Sequence, residues 1–302
     1  MEIVFLGTGG SVPTEKRNLS AVLLDYLGDY LLFDCGEGTQ RQTRFAKINF
    51  MNVDNVFITH LHADHFLGLG GMIQSMDFMD RTKDLNIYGP AGIRETIDYL
   101  LSTGTFILDQ FEVKVTEVSP GLVCESERYT VTCAKTDHTK NSLAYCFEEK
   151  AHRHFLKQKA LALGIPEGRL FSQLQDGKTV EVNGRKITPD QVLGDPIPGR
   201  KIVYTGDTRP CDSVVELAKG ADLLIHEATF SKDDEENTKD AAHSTARQAA
   251  QVAKKAGVKM LYMTHISQRY TETETLEKEA REVFPESYVA EDLARIKIPK
   301  HW

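Results

Sequence analysis

The chain has 302 residues, a formal net charge of −8 and 41% hydrophobic residues. That is enough for a buried core, as one large domain with an insertion or as two domains. The acidic balance argues against a general nucleic-acid coating protein, and no stretch approaches the roughly 20 apolar residues of a membrane span.

Residues 1–6 predict a strand that stops at Gly7-Thr8-Gly9-Gly10, a tight loop without the spacing of a dinucleotide fingerprint. Residues 20–24 and 30–33 read as two strands, with Gly28-Asp29 as the hairpin turn between them. Asp34-Cys35-Gly36-Glu37-Gly38 follows as a loop, and a helix starts near Thr39. Val56-Phe57-Ile58 is a short strand running straight into His60, and residues 68–80 have helical character. Phe45, Phe50, Phe78 and Tyr88 read as core or rim residues and not as base-stacking groups. Residues 129–134 predict another strand. In the second half, strands over 201–204, 221–225 and 259–263 end in Thr205-Gly206-Asp207-Thr208, His226-Glu227 and Thr264-His265, and residues 245–256 form a helix of strong formers. Strands alternating with helices, hairpins included, predict an α/β layer structure with mixed sheets. Residues 151–199, rich in Gly, Pro, Lys, Arg and Gln with a short, broken apolar pattern, read as a protruding insertion on a single catalytic domain over residues 1–302. Five dispersed cysteines without a C-x-x-C pair and an N-terminus without signal-peptide features suit a reduced, cytoplasmic protein.

The chemistry concentrates in His60-Leu61-His62-Ala63-Asp64-His65, where four metal-ligand side chains lie within six residues. Imidazole and carboxylate are the usual ligands of zinc and similar divalent ions. In a loop after a strand, alternate side chains reach two adjacent points, so His60 and His62 suit one ion, Asp64 and His65 another. Taken alone, His138 or His265 reads equally well as a satisfied buried histidine. Their places past strand ends favour ligation, and Asp207 in the same kind of place suits a carboxylate shared between two ions. The expected sets are His60, His62, His138 and Asp207 for one ion, and Asp64, His65, His265 and Asp207 for the other. Two ions about 3.5–4 Å apart suit phosphodiester hydrolysis, because they make hydroxide available near neutral pH and stabilise charge on phosphate oxygens. Asp64 is placed to accept the proton of the attacking water. His243, in the turn His243-Ser244-Thr245 before a helix, is a candidate proton donor, held protonated by Glu227. A bystander histidine at a helix cap is the plainer alternative for that residue.

These residues resemble the metallo-β-lactamase superfamily, which implies an αββα sandwich with a dinuclear zinc site, Mn2+ or another divalent ion being possible. Phe5-Leu6-Gly7-Thr8-Gly9, Pro13 with Arg17-Asn18, Asp34-Cys35-Gly36-Glu37-Gly38, His226-Glu227-Ala228-Thr229 and His243-Ser244-Thr245 resemble ribonuclease Z over nearly the whole chain. The resemblance implies a homodimeric endonuclease that removes the 3′ trailer of precursor tRNA. It carries metal ligation to the seven residues above, proton acceptance to Asp64, and a place by the scissile phosphate to His243, supported by Glu227. It also implies that residues 151–199 are a flexible arm that grips tRNA. Lys150, Arg153, Lys157, Lys159, Arg169, Lys178, Arg185, Lys186, Arg200 and Lys201 lie in or beside this segment, a local basic excess suited to phosphate contacts without base reading. One departure is that Gly164-Ile165-Pro166-Glu167-Gly168 is followed by Arg169, not by the proline of the family's Gly-Pro turn. The competing readings are a phosphodiesterase of the same fold acting on small phosphodiesters, a di-iron redox protein, and a non-catalytic RNA-binding module with a structural metal.

Overall fold

The computed structural model describes residues 1–236 and 241–301. They fall into two compact units, Met1–Glu148 with Lys201–Pro299, and Glu149–Arg200 with the C-terminal residues from Lys300.

The larger unit contains two seven-stranded mixed sheets among the described residues. In spatial order the first runs Arg295–Lys297, Glu2–Gly7, Ala21–Tyr26, Asp29–Phe33, Val53–Phe57, Leu85–Gly89 and Val113–Glu117. The second runs Ser287–Val289, Leu261–Thr264, Leu223–Glu227, Lys201–Tyr204, Leu143–Glu149, Tyr129–Lys135 and Gly121–Glu125. Successive side chains of a strand face opposite ways, and the first strand shows the consequence. Ile3 and Phe5 join Phe33, Phe57, Tyr145, Phe147 and Tyr204 in the core between the sheets. Val4 and Leu6 join a second core, beneath the helices Gly68–Phe78 and Ile93–Leu101. The outer face of the second sheet packs on Asp212–Ala218, Ala246–Ala256 and Glu274–Arg281. The result is the αββα sandwich expected from the resemblance.

Several details hold the site's strands in place. Phe57 stacks between Phe33 and Tyr88 with centroids 5.2 and 5.1 Å away, contacts worth about 0.5–1.5 kcal/mol each beyond burial. The strand Val53–Phe57 is thereby fixed immediately before the histidine cluster. The helix Ala246–Ala256 starts with a capping box between Thr245 and Gln248 and stops at left-handed Gly257, so the turn holding His243 enters it at a defined angle. The hairpin turn falls one residue earlier than the sequence suggested. Asp29 pairs with Tyr26, and Leu27 and Gly28 both take positive φ, the conformation that a tight two-residue hairpin favours. Phe50 is buried as expected, whereas Phe78 is 89% and Phe45 53% exposed, so these two are surface residues.

The smaller unit has its own apolar cluster of Ala160, Ile165, Leu174, Val180, Ile187 and Val192. Helices Lys157–Ala162 and Arg169–Gln175 and the hairpin Val180–Val182/Arg185–Ile187 supply it, with Ile165 and Val192 from the connecting segments. The absent Gly-Pro turn leaves Gly168, at φ 123°, to start the second helix. The basic set is less uniform than its sequence count. Arg200 is buried against Glu149, with Nε 2.8 Å from Oε2. Arg153 pairs with Asp190 and Lys157 with Glu167, and Lys201 belongs to a strand of the larger unit. Arg169, Lys178, Arg185 and Lys186 stay exposed.

Candidate metal centre

All nine sequence-predicted site residues lie in the larger unit, and the structure brings them together at the strand ends. Ligand atoms of His60, His62, His138 and Asp207 lie within 4.8 Å of one another, as do those of Asp64, His65 and His265. Asp207 Oδ2 is the hub. It lies 3.6 Å from His60 Nε2, 3.7 Å from His138 Nε2, 3.4 Å from His65 Nε2 and 3.2 Å from His265 Nε2. Ligand atoms of a tetrahedral site with bonds of 2.0–2.1 Å stand about 3.4 Å apart, so this spacing fits a shared carboxylate oxygen. His62 turns its Nδ1 inward, 3.0 Å from His60 Nε2 and 3.1 Å from His138 Nε2.

The local fold differs from a plain loop. His62 precedes a one-turn helix, Ala63–Phe66, so Asp64 and His65 leave successive positions of a helical turn. Asp64 Oδ2 is still only 3.7 Å from His65 Nε2 and 3.3 Å from His265 Nε2. Gly206, at φ +58°, makes the turn that delivers Asp207, and a Cβ there would come within 2.6 Å of Thr59 Cβ. Gly10 leaves room for His265, whose Cε1 would be 2.5 Å from an added Cβ. His265 itself takes φ 55°, a costly conformation for a non-glycine residue. Backbone bonds on both sides impose it, from Ile266 N–H to Thr8 O and from Ala290 N–H to Met263 O.

The second layer explains why the imidazoles aim inward, and it contains the residues that sequence reasoning missed. Asp34 is fully buried. Its Oδ2 accepts from His65 Nδ1 at 2.7 Å, Tyr204 Oη at 2.8 Å and Thr59 Oγ1 at 2.9 Å. Thr59 Oγ1, donating to Asp34, accepts from His60 Nδ1 at 3.0 Å. His138 Nδ1 donates to Ala242 O at 2.9 Å. Thr229 Oγ1 donates to Glu227 Oε2 at 2.7 Å and accepts from His265 Nδ1 at 2.9 Å. These bonds place a proton on Nδ1 of four histidines and so turn the four Nε2 atoms toward one another and toward Asp207. Replacing Asp34 by Asn should weaken the binding of an added divalent ion such as zinc about 10–100-fold, as read by competition with a chromophoric chelator. Unchanged affinity would show that His65 is oriented without it.

The buried groups fit a bound cation. His65 Nε2 and Asp207 Oδ1 are buried without a hydrogen-bond partner. Burial opposes charge on His65, yet Asp207 and Asp34 outweigh it and hold its pKa well above the ordinary value. Burial, with His65 beside it, pushes His60 well below, and burial also lowers His138. Burial alone would raise Asp207, but His265 and His65 hold it far down as an anion. A donor set of imidazoles and carboxylates around two orphaned buried atoms fits hard-to-borderline divalent cations.

Beside this cluster, His243 Nδ1 is 2.8 Å from Glu227 Oε1 and 3.9 Å from Asp207 Oδ2. Glu227 is fully buried and also accepts from the N–H groups of Thr208 and Thr229, at 3.0 and 3.1 Å. Burial disfavours a charged His243, but Glu227 outweighs it and raises the pKa to about 9. His226 points elsewhere, its Nδ1 bonded to Glu227 O at 2.7 Å. Arg17 is structural, with Nη1 2.6 Å from both Thr8 Oγ1 and Ala290 O.

Residues 1–158 match the family described as anti-Pycsar protein Apyc1, and residues 173–266 the β-lactamase superfamily domain. Similarity along the full length is to proteins named ribonuclease Z. That of Methanothermobacter thermautotrophicus is 50% identical over 99% of this chain and 97% of its own. That of Methanosarcina acetivorans is 48% identical over 99% of this chain and 98% of its own. The structure of the short form of human tRNase Z superposes with a TM-score of 0.73 at 29% identity, covering 99% of this chain and all of that one.

Proposed function

The chain belongs to the ribonuclease Z family, and from that premise we propose how it works as a tRNA 3′-processing endonuclease. The observation carrying the mechanism is the convergence of six candidate ligand side chains around Asp207, with the His243–Glu227 pair alongside. His60, His62, His138 and Asp207 would hold one divalent ion, and Asp64, His65, His265 and Asp207 a second, most simply zinc. Two such ions supply Lewis-acid stabilisation of phosphate charge and a water acidic enough to ionise near neutral pH. Asp64, whose Oδ2 is fixed by Ser11 N–H at 2.7 Å, accepts the proton of the attacking water. As the new P–O bond forms and the P–O3′ bond breaks, His243 delivers its proton to the departing 3′ oxygen. The products are a tRNA 3′-hydroxyl and a trailer with a 5′-phosphate. The exposed cations of residues 151–199 support docking of the tRNA backbone; a homodimer, as the family resemblance implies, in the cytoplasm, as the dispersed cysteines suggest, completes the reading. No helix among the described residues is long and apolar enough to cross a membrane.

The test is to strip metal with a chelator, add zinc or manganese back, and map the ends produced from a precursor tRNA bearing a 3′ trailer. One metal-restored cut near the discriminator base is expected. A chain lacking residues 151–199 should lose far more precursor cleavage than hydrolysis of a small phosphodiester, and sedimentation should give a dimer. Metal-dependent hydrolysis of the small phosphodiester with the precursor left intact would move the function to the second reading.

A further inference from the structure

The loops that carry the metal centre also border a concavity that the mechanism leaves unused. It encloses about 200 Å³ and is lined by Lys135, Lys140, Asn141, Ala91, Ser119 and Pro120 among others. Its place follows from the chain. Lys140 lies two residues beyond His138, and Leu143 N–H, just past it, donates to Thr59 O, beside His60. Asn141 Nδ2 reaches Ala91 O at 3.4 Å. The next residue, Gly92, packs so closely on Leu61, between His60 and His62, that a Cβ would stand 3.2 Å from its Cδ1. The concavity therefore lies on loops continuous with those of the centre.

Both lysines are exposed, and neither ammonium has a carboxylate partner among the described residues. Carboxylates on the same loops are engaged elsewhere. Asp137 pairs with Arg209 at 3.1 Å, and Glu117 accepts from Gly92 N–H at 2.8 Å. Two unpaired cations in a hollow are a liability for folding alone and an asset for an anion, and a chain of net charge −8 needs local cations wherever a polyanion must approach. Lysine offers a point charge that contacts phosphate without reading bases.

We propose that Lys135 and Lys140 bind a backbone phosphate of the RNA strand adjacent to the one being cut. This subsite rests on the endonuclease reading and adds to it a determinant of strand positioning outside the metal ligands. The test is steady-state cleavage of a trailer-bearing precursor tRNA by the wild type, the double variant Lys135→Ala/Lys140→Ala and the double Lys→Arg variant, across a range of salt concentrations. Because both side chains are exposed, truncation leaves the core intact. The double alanine variant should raise KM several-fold with little change in kcat. It should also flatten the slope of log(kcat/KM) against log salt by roughly 0.7 for each phosphate that is no longer neutralised, and the arginine variant should restore most of both. Wild-type cleavage with KM and salt slope unaltered in the alanine variant would overturn the subsite alone. A wild type that leaves the precursor intact would overturn the endonuclease reading, and the subsite with it.

Discussion

Asp64→Ala is expected to abolish precursor cleavage, with kcat falling by at least about 10²–10⁴-fold, the range for loss of a positioned proton acceptor. The loss should exceed that of the proton acceptor alone, because the same Oδ2 lies 3.3 Å from His265 Nε2 and 3.7 Å from His65 Nε2 and so belongs to the proposed ligand set. Burial works against the carboxylate's charge, but the bond from His265 and the charge of His65 prevail and hold its pKa far below the ordinary range. It therefore stays ionised wherever the protein is folded and active. The side chain is part exposed and packs in neither sheet's core, so the variant should fold and still bind tRNA. Gel-shift titration and single-turnover cleavage on the same preparation separate the two quantities. Near-normal turnover would remove Asp64 from the chemistry.

What the sequence made legible and what it hid divide along a physical line. The clustering of His60, His62, Asp64 and His65 was legible because these candidate ligands lie within six residues, and that of His138, Asp207 and His265 because each follows a strand, where α/β sheets present side chains. Asp34, Thr59, Tyr204 and Thr229 were not readable as a second layer. Asp34 meets Tyr204 across 170 residues and His65 across 31, and a buried Asp, Thr or Tyr has no spacing signature of its own. Asp34 did have one weak signal, its place at a strand end like the other acids, and its φ of 56° shows how far the backbone bends to serve the histidine. The segment 151–199 hid its order differently. Its apolar residues are few and scattered, yet Asn183-Gly184 between Val180–Val182 and Arg185–Ile187 is a strong hairpin signal, and both residues take positive φ. The buried Arg200–Glu149 pair could not be told from solvent-facing charge by composition, because only the fold decides which cations face water.

His243→Ala is expected to lower kcat for precursor cleavage by about 10²–10⁴-fold while KM changes little, because in the proposed mechanism the imidazole acts on the leaving oxygen and not on ground-state binding. Glu227 sets its protonation. The charged groups facing His243 are Glu227 and Asp207, which favour the imidazolium, and His65 and His138, which oppose it. Burial also opposes it, yet the balance puts the pKa at about 9. Divalent ions held on Asp207 would oppose the imidazolium and lower that value, so donor-dependent activity should decline as pH rises through a value at or below about 9. Glu227→Gln keeps the shape and, with its single amide oxygen, the bond from Thr208 N–H or from Thr229 N–H but not both; it removes the charge, so burial and the neighbouring histidines should pull the pKa down. The alkaline limb of the kcat profile should move to lower pH by more than about one unit, the scale on which a nearby opposite charge shifts a pKa, with kcat at low pH retained in part. A limb unmoved in Glu227→Gln, or His243→Ala with kcat intact on a precursor tRNA, would reassign this pair to holding Thr229 and His265 in place. An activated leaving group such as p-nitrophenolate needs no proton, so a large loss on the RNA with a small loss on a p-nitrophenyl phosphodiester is the signature that separates proton delivery from a general collapse of the site.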